Sequence, residues 1–278
     1  MKDNDMIEIN ILMKRKGFLY LKKTNLPVIR LVLAFLFVFF LYSCKSNSVK
    51  RDIVGNLTKE VLLSNSSFDT YTVNTKKSEL AFFFKTTGGD RFGSLGKLKK
   101  YLEKNSKELI FATNGGIYNA NFDPLGLFVE NGREVFPLNM KDGKGNFFMA
   151  PNGIFLITRE QEAYIIKRED YSKFKDKVFL AIQSGPMLLI DGTINSNFTR
   201  VSDSKFIRSG VGIINSSEII FAISNEPVNF YIFALLFKDK LKCQNALFLD
   251  GAISKMYLPA SKRYQLDGDF GVIIGIIN

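Results

Sequence analysis

Short runs of apolar residues, separated by turn-forming pairs, dominate the hydrophobic pattern of this chain. Ten runs rich in Phe, Ile, Leu and Val predict β-strands: residues 80–85, 108–113, 127–130, 153–158, 163–167, 178–182, 187–190, 219–223, 246–249 and 270–277. Three pairs predict tight turns, because Asn, Asp and Gly tolerate the positive φ that hairpin turns need: Asn131-Gly132, Asp191-Gly192 and Asn152-Gly153.

Two segments follow a helical period instead. Leu95, Leu98 and Leu102 lie three or four residues apart among lysines, which predicts an amphipathic helix. Residues 230–241 are apolar nearly all round and follow Asn229, a good cap, so they predict a buried helix. The fold class predicted from these elements is α+β, with a mixed, strongly bent β-sheet and a few flanking helices.

The N-terminal residues 1–43 have the pattern of a bacterial export signal. Basic residues precede an apolar run at 31–42, which as a helix would span only about 18 Å, against about 30 Å for the hydrocarbon core of a membrane. A charged region, a short apolar region and a small residue before a cleavage site predict a secretory signal. The alternative is an uncleaved N-terminal anchor with a buried cysteine.

The end of this run, Leu41-Tyr42-Ser43-Cys44, resembles a bacterial lipobox. The resemblance implies cleavage before Cys44, lipidation of its thiol and a membrane-anchored lipoprotein outside the cytoplasm. Residues 44–56 are polar and predict a tether, and residues 57–278 are expected to form one domain.

Composition excludes several kinds of site. The chain has no histidine, which excludes Ser-His-Asp and Cys-His catalysis. Its two cysteines, Cys44 and Cys243, cannot support a disulfide-rich scaffold or a thiolate metal centre, and acylation of the first would leave the second without a disulfide partner. No cofactor is predicted, because no known ligand spacing supports a divalent cation despite the many Asp and Asn residues.

The net charge of +11 raises the question of nucleic-acid binding. The lysines are scattered and no nucleic-acid-binding signature is present, so no nucleic-acid partner is expected.

Four segments place polar or small residues at the ends of apolar strands: residues 113–118 (TNGGIY), 183–187 (QSGPM), 208–212 (RSGVG) and 247–254 (LFLDGAIS). Asp250 closes a fully apolar strand and is the best candidate for a general base or nucleophile, although an Asx turn after a strand has the same pattern. Arg208 is costly to bury unless it pairs with a carboxylate or a phosphate.

Together and in this order, these segments resemble the phosphodiester glycosidase family. The resemblance covers residues 78–277 and includes residues 124–127 leading into VENG, and LLIDG after QSGP. It implies removal of a sugar, N-acetylglucosamine in the best-known members, from a sugar-1-phosphodiester. The phosphate leaving group is a weak base, so such a site chiefly needs donors for phosphate oxygens and one carboxylate, which fits a chain without histidine.

The roles follow from this resemblance. Asp250 is expected to be the base or nucleophile, Arg208 to hold the phosphate as a bidentate fork, and Asn114 to hold a sugar hydroxyl or orient water. The expected substrate-binding residues lie in the same segments: Gly115, Gly116, Ser184, Gly185, Gly251 and Ser254, with the Gly115, Gly116, Ser184 and Gly185 amides as preorganised donors.

One departure keeps a second interpretation open. The family usually continues its aspartate with two or three glycines, whereas this chain continues with Gly251-Ala252-Ile253. This departure favours a non-catalytic surface lipoprotein that binds envelope glycans or an anionic polymer in the same cleft.

Overall fold

The computed structural model describes residues 57–250 and 253–278. The predicted signal segment, Cys44, the tether and Gly251 therefore lie outside the described residues, all of which belong to one compact unit. The strands in chain order are β1 (Leu57–Leu63), β2 (Ser66–Asn74), β3 (Glu79–Phe83), β4 (Leu109–Asn114), β5 (Phe128–Glu130), β6 (Arg133–Phe136), β7 (Gly153–Thr158), β8 (Ala163–Lys167), β9 (Val178–Ser184), β10 (Met187–Ile190), β11 (Thr193–Ile194), β12 (Ser209–Asn215), β13 (Glu218–Ser224), β14 (Asn245–Phe248), β15 (Met256–Leu258), β16 (Arg263–Tyr264) and β17 (Ile273–Ile277).

The strands form three sheets. The first has seven strands in the order β1-β2-β13-β12-β14-β10-β11, the second has the order β16-β15-β4-β17-β3, and the third has the order β6-β5-β9-β7-β8. Neighbouring strands run antiparallel throughout the described residues. The fold is therefore predominantly β with few helices, and three antiparallel sheets replace the single mixed sheet that the sequence predicts.

One aromatic core joins all three sheets. Phe111 of β4, Phe155 of β7 and Phe221 of β13 each come from a different sheet and are fully buried. The ring centroid of Phe221 lies 5.0 Å from that of Phe111 and 6.2 Å from that of Phe155. Because alternate residues of a strand face the same side, each sheet contributes one apolar face to this shared interior.

Both predicted helices are present. Helix α1 (Leu95–Lys104) buries its three leucines, and the hydroxyl of Ser94 caps it by accepting from an amide of the first turn. Helix α2 (Phe230–Leu235) is capped in the same way by Asn229 and continues as a π-helix over Leu236–Lys240. Among the described residues, no helix has the length and apolarity needed to cross a membrane.

The π-helical continuation of α2 accounts for the second glycine of the Gly-x-Gly sequence in β12. The ring of Phe237 packs directly on this strand, and a Cβ added to Gly212 would lie 2.7 Å from that ring and 2.6 Å from the sulfur of Cys243. Glycine is required there because the helix approaches the backbone too closely for any side chain.

All ten predicted strands overlap observed strands, and two of the three predicted turns are confirmed. Asn131 and Asp191, each followed by glycine, adopt positive φ between paired strands. The third turn prediction, Asn152-Gly153, is wrong, because Gly153 begins β7 and pairs there with β8 and β9. Its glycine is explained by packing, since an added Cβ would lie 2.6 Å from the Met187 side chain.

Candidate functional site

Ends of strands from all three sheets meet in one buried polar cluster. Asn114 ends β4, Ser184 ends β9 and Ser209 begins β12, and all three are nearly inaccessible to solvent. The segment that follows β14 brings Asp250 to the same place, where its side chain is buried. The structure therefore brings Asn114, Ser184 and Asp250, predicted from distant parts of the sequence, into one site.

The side chain of Asn114 has a defined orientation. Its oxygen accepts hydrogen bonds from the Ser209 hydroxyl at 3.0 Å and from the backbone N–H of Lys255 at 3.1 Å. A backbone N–H can only donate, so the atom facing it must be the amide oxygen. The Asn114 nitrogen makes only a 3.4 Å contact with the Gly115 carbonyl, which leaves it as the group that can donate to a ligand.

Two residues predicted to bind substrate, Ser184 and Ser254, use their hydroxyls to hold the backbone around Asp250. The Ser184 hydroxyl donates to the carbonyl of Leu249 at 2.6 Å, and the Ser254 hydroxyl donates to the carbonyl of Asp250. Ser209 also lies 3.3 Å from the Asp250 carbonyl. Each hydroxyl has one proton to donate, so Ser184 and Ser254 act here as positioning groups for the Asp250 segment.

The guanidinium of Arg208 is enclosed in the fold, with a residue exposure of 1%. Its Nε donates to the carbonyl of Val228 at 2.8 Å and its Nη2 to that of Ser204 at 2.9 Å. The ring of Phe230 stacks on it, with the centroid 3.6 Å from the guanidinium carbon. Nη1 has no hydrogen-bond partner among the described residues, and burial lowers the pKa of Arg208 to about 10.

Arg208 and Asp250 lie on neighbouring antiparallel segments. Arg208 immediately precedes β12, Asp250 lies two residues beyond β14, and the Leu249 N–H still donates to the Ser209 carbonyl at 3.1 Å between them. The guanidinium carbon of Arg208 is also 5.4 Å from the ring centroid of Phe248, two residues before Asp250. The two predicted groups therefore share one end of one sheet.

The predicted glycines are explained by close packing. The amide of Gly115 already donates to the Val272 carbonyl at 2.8 Å, so it is not a spare donor for an anion, contrary to the prediction. A Cβ added to Gly116 would lie 2.7 Å from the Gln183 carbonyl, and one added to Gly185 would lie 2.6 Å from the Phe147 carbonyl. Backbone approach within the core therefore requires glycine at both positions.

Two buried polar residues were missed in the sequence, Ser209 of the site and Gln183 next to Ser184. Ser209 links Asn114 to the Asp250 segment, but as a small residue inside RSGVG it carries no distinctive signal. Gln183 donates to Asn139 and Asn152 and accepts from the backbone N–H groups of Leu127 and Asn139, all between 2.7 and 2.9 Å. Its place before Ser184 in an apolar strand is a signal that could have found it, since a buried carboxamide requires partners.

The described residues contain no group of three or more His, Cys, Asp or Glu side chains that could hold a metal ion. Asp250 is the only carboxylate in the predicted set. The other side chains of the predicted set are hydroxyls, a carboxamide and a guanidinium, and the carboxamide nitrogen and the guanidinium are donors that suit an anionic ligand.

Comparison with known proteins gives the family. Residues 107–270 match the family model of phosphodiester glycosidases. The uncharacterized protein YigE of Escherichia coli K12 is 37% identical over 188 residues, which cover 68% of this chain and 73% of that protein.

Solved structures show the same fold at low sequence identity. The catalytic domain of zebrafish N-acetylglucosamine-1-phosphodiester alpha-N-acetylglucosaminidase, auto-inhibited by its pro-peptide, is similar with a TM-score of 0.56 and 15% identity, covering 80% of this chain and 81% of that one. A hypothetical protein from Synechocystis has a TM-score of 0.50 and 14% identity, covering 80% of this chain and 61% of that one. With the match over residues 107–270 and the identity to YigE, the chain belongs to the phosphodiester glycosidase family.

Proposed function

We propose that this protein hydrolyses the bond between the anomeric carbon and the phosphate oxygen of a sugar-1-phosphodiester. The observation that carries the proposal is the Nη1 atom of Arg208, a buried donor on a charged group with no partner among the described residues. An unpaired buried donor costs about 1–3 kcal/mol, and more when it is charged. An anionic phosphate oxygen would remove that cost, and Asp250 lies on the adjacent segment.

The chemistry needs one carboxylate and no strong acid. The bond from C1 to the phosphate oxygen breaks, and its electron pair leaves with the phosphate as a phosphomonoester of the aglycone. The hydroxyl of water forms the new bond to C1, and Asp250 either accepts the proton of that water or attacks C1 first and is released by water. Arg208 stabilises the negative charge on the departing phosphate.

The remaining groups orient the reactants. Since the Asn114 oxygen is engaged by Ser209 and Lys255, its nitrogen is the donor available to a sugar hydroxyl or to the water. Ser184 and Ser254 fix the carbonyls of Leu249 and Asp250, which lie on either side of the α-carbon of Asp250. Holding a reactive group in place in this way is a major source of rate enhancement.

The test is release of free sugar from a panel of sugar-1-phosphodiesters by the full-length protein. The methyl phosphodiester of N-acetylglucosamine 1-phosphate comes first, because the zebrafish structural relative is named for that sugar. Asp250→Asn should lower kcat by roughly 10²- to 10⁴-fold. Asp191→Asn is the matched control, since it makes the same chemical change in a hairpin turn with positive φ that asparagine tolerates.

Two outcomes would contradict the assignment. Wild-type turnover by the Asp250→Asn variant would remove Asp250 from the reaction. Saturable binding of a sugar phosphate without product would support the alternative function, a glycan-binding protein, which the near-complete burial of Asp250, 7% exposed, also favours.

We also propose that the protein acts outside the cytoplasm, anchored by a lipid on Cys44. Support comes from the basic segment, the apolar run at 31–42 and the small residue before the cysteine. Metabolic labelling with an alkyne fatty acid should mark the wild-type protein but not a Cys44→Ser variant. Equal labelling of both would exclude this anchor.

A further inference from the structure

The loop after Asn114 carries an aromatic stack that the mechanism above does not use. The rings of Tyr118 and Phe122 stack with centroids 5.4 Å apart and 24° between their planes. The guanidinium carbon of Arg91 lies 3.8 Å from the Phe122 centroid. We call these three side chains the aromatic column; Phe122 contacts both of the others, and Tyr118 is partly exposed at one end.

Both ends of the aromatic column are tied to Asp269. Its carboxylate pairs with Arg91 at 2.7 Å, and its carbonyl accepts from the Tyr118 hydroxyl at 2.7 Å. Arg91 also donates to the Phe270 carbonyl at 2.6 Å. The Tyr118 ring therefore has little freedom to turn or shift.

The backbone of the column is strained. Phe122 has a φ of 63°, a left-handed conformation that is rare for a bulky side chain and costs on the order of 1–3 kcal/mol. The loop enforces it, because the Asn119 side-chain oxygen accepts from the N–H groups of Asn121 at 2.8 Å and Asp123 at 3.1 Å. Strain of this kind persists where a fold fixes a functional group in place.

The column stands beside the candidate site. A Cβ added to Gly271 would lie 2.9 Å from the Cβ of Tyr118, so Tyr118 packs on the segment that leads into β17. In β17, Ile273 pairs with Asn114. Burial first, and then the negative charges of Asp250 and Asp269, raise the pKa of Tyr118 to about 12, so the Asp250 carboxylate is within electrostatic reach of the phenol.

We infer that the Tyr118 ring, held by Phe122 and Arg91, is the wall of this site against which the sugar ring of the substrate packs. A pyranose presents C–H groups that pack on an aromatic face without needing charge, and small-ligand sites typically combine such a face with a few polar groups. The inference rests on the proposed function for the class of ligand. It divides recognition, with the aromatic column contacting the sugar and Arg208 the phosphate.

Binding measurements test this division without requiring turnover. The full-length protein is titrated by NMR with methyl glycosides of N-acetylglucosamine, glucose and galactose, and separately with inorganic phosphate. Tyr118→Leu should weaken sugar binding roughly 2- to 10-fold, the value of one aromatic contact, and leave phosphate affinity unchanged. Arg208→Met should weaken phosphate binding and leave sugar affinity unchanged. Tyr118→Phe keeps the ring but loses the hydrogen bond to Asp269, so it should weaken sugar binding less than Tyr118→Leu does.

A second pair of variants separates recognition from folding. Phe122→Asn keeps a residue that accepts positive φ but removes the support behind Tyr118, so it should also weaken sugar binding. Tyr164→Leu removes another tyrosine, which lies in β8 and packs on Phe174 with ring centroids 4.9 Å apart, and it should change neither affinity. Circular dichroism confirms that each variant is folded.

The inference and the proposed function fail in different ways. If no methyl glycoside binds the wild-type protein, or if folded Tyr118→Leu and Phe122→Asn bind sugar as the wild type does, the wall is refuted while turnover is unaffected. If sugar affinity depends on Tyr118 but the wild-type protein releases no sugar from any phosphodiester, the role of Tyr118 in sugar binding is supported and the proposed hydrolysis is refuted.

Discussion

Replacing Arg208 with methionine separates two reasons for keeping a buried arginine, namely stability and ligand binding. Burial lowers its pKa from 12.5 to about 10. One pKa unit corresponds to about 1.36 kcal/mol, so enclosing the charge costs about 3 kcal/mol. Below pH 10 the guanidinium is charged in both the folded and the unfolded chain, so the full cost is present at pH 7.

The contacts that oppose this cost are of similar size. The hydrogen bonds to Val228 and Ser204 contribute about 1.5–3 kcal/mol each, and the stack on Phe230 about 0.5–2 kcal/mol. Methionine would keep much of the contact with that ring. Both carbonyls would keep a hydrogen-bond partner after the substitution. The exposed Ser204 is accessible to water, and the Val228 carbonyl also accepts from the Phe206 N–H at 3.2 Å. We therefore expect Arg208→Met to lower the free energy of unfolding by no more than about 3 kcal/mol.

Thermal unfolding in phosphate gives the readout. A ligand at one hundred times its Kd stabilises the folded state by about 2.7 kcal/mol, which in a domain of this size raises the Tm by about 5–10 °C. The wild type should show this rise and Arg208→Met should not. Arg168→Met is the matched control, because Arg168 pairs with exposed carboxylates, and its response to phosphate should be intact.

If Arg208→Met lowers the free energy of unfolding by more than about 5 kcal/mol, the arginine is kept for stability. If phosphate raises the Tm of Arg208→Met as much as that of the wild type, phosphate does not bind at Arg208. Either result would refute the reasoning from the unpaired Nη1.

Three further substitutions or modifications probe other parts of the site and core. Asn114→Asp keeps an acceptor but loses the amide donor, so kcat/KM should fall about 10- to 100-fold in a sugar-release assay. Gly126→Ala would place its Cβ in collision with the Gln183 side chain and should lower the free energy of unfolding in urea by about 1–3 kcal/mol, whereas Gly88→Ala meets only an ordinary contact and should be nearly neutral. Burial raises the pKa of Cys243 from 9.0 to about 12, so in a chain whose other cysteine is replaced by serine the thiol should resist alkylation at pH 8 until the protein unfolds. Because only the unfolded chain loses this proton between pH 9 and 12, that burial should also lower stability as the pH rises through this range.

The sequence predicts best those elements whose side chains are buried on both faces. All six residues of β7 are buried, and its continuous apolar run identifies it directly. Strand β2 alternates buried and accessible positions and includes Ser, Thr and Asp, so its composition resembles that of a loop. Its partner β1 at the sheet edge was missed for a similar reason, since Lys and Glu interrupt its apolar residues.

Asn114, Ser184 and Asp250, which were predicted for the site, lie together in the structure, but the hydrogen bonds that join their segments were not predicted. Arg208 is buried, as its apolar neighbours indicate, but its partners are backbone carbonyls and aromatic rings rather than the carboxylate that the sequence allowed. The hydrogen bond from Ser209 to Asn114 joins residues 95 positions apart on different sheets. Only the packing of the sheets creates that contact, so no local sequence pattern could have predicted it.

The meeting of Asn114, Ser184 and Ser209 has a consequence for partly folded forms of this chain. Each residue terminates or begins a strand of a different sheet, and the sheets are held together by a single interior. Detaching any one sheet would remove at least one of these three residues from the site. An isolated fragment or a folding intermediate that lacks one sheet therefore cannot contain the complete site. Whatever ligand it takes should therefore protect amides throughout the body from hydrogen exchange, and not only those near the point of contact.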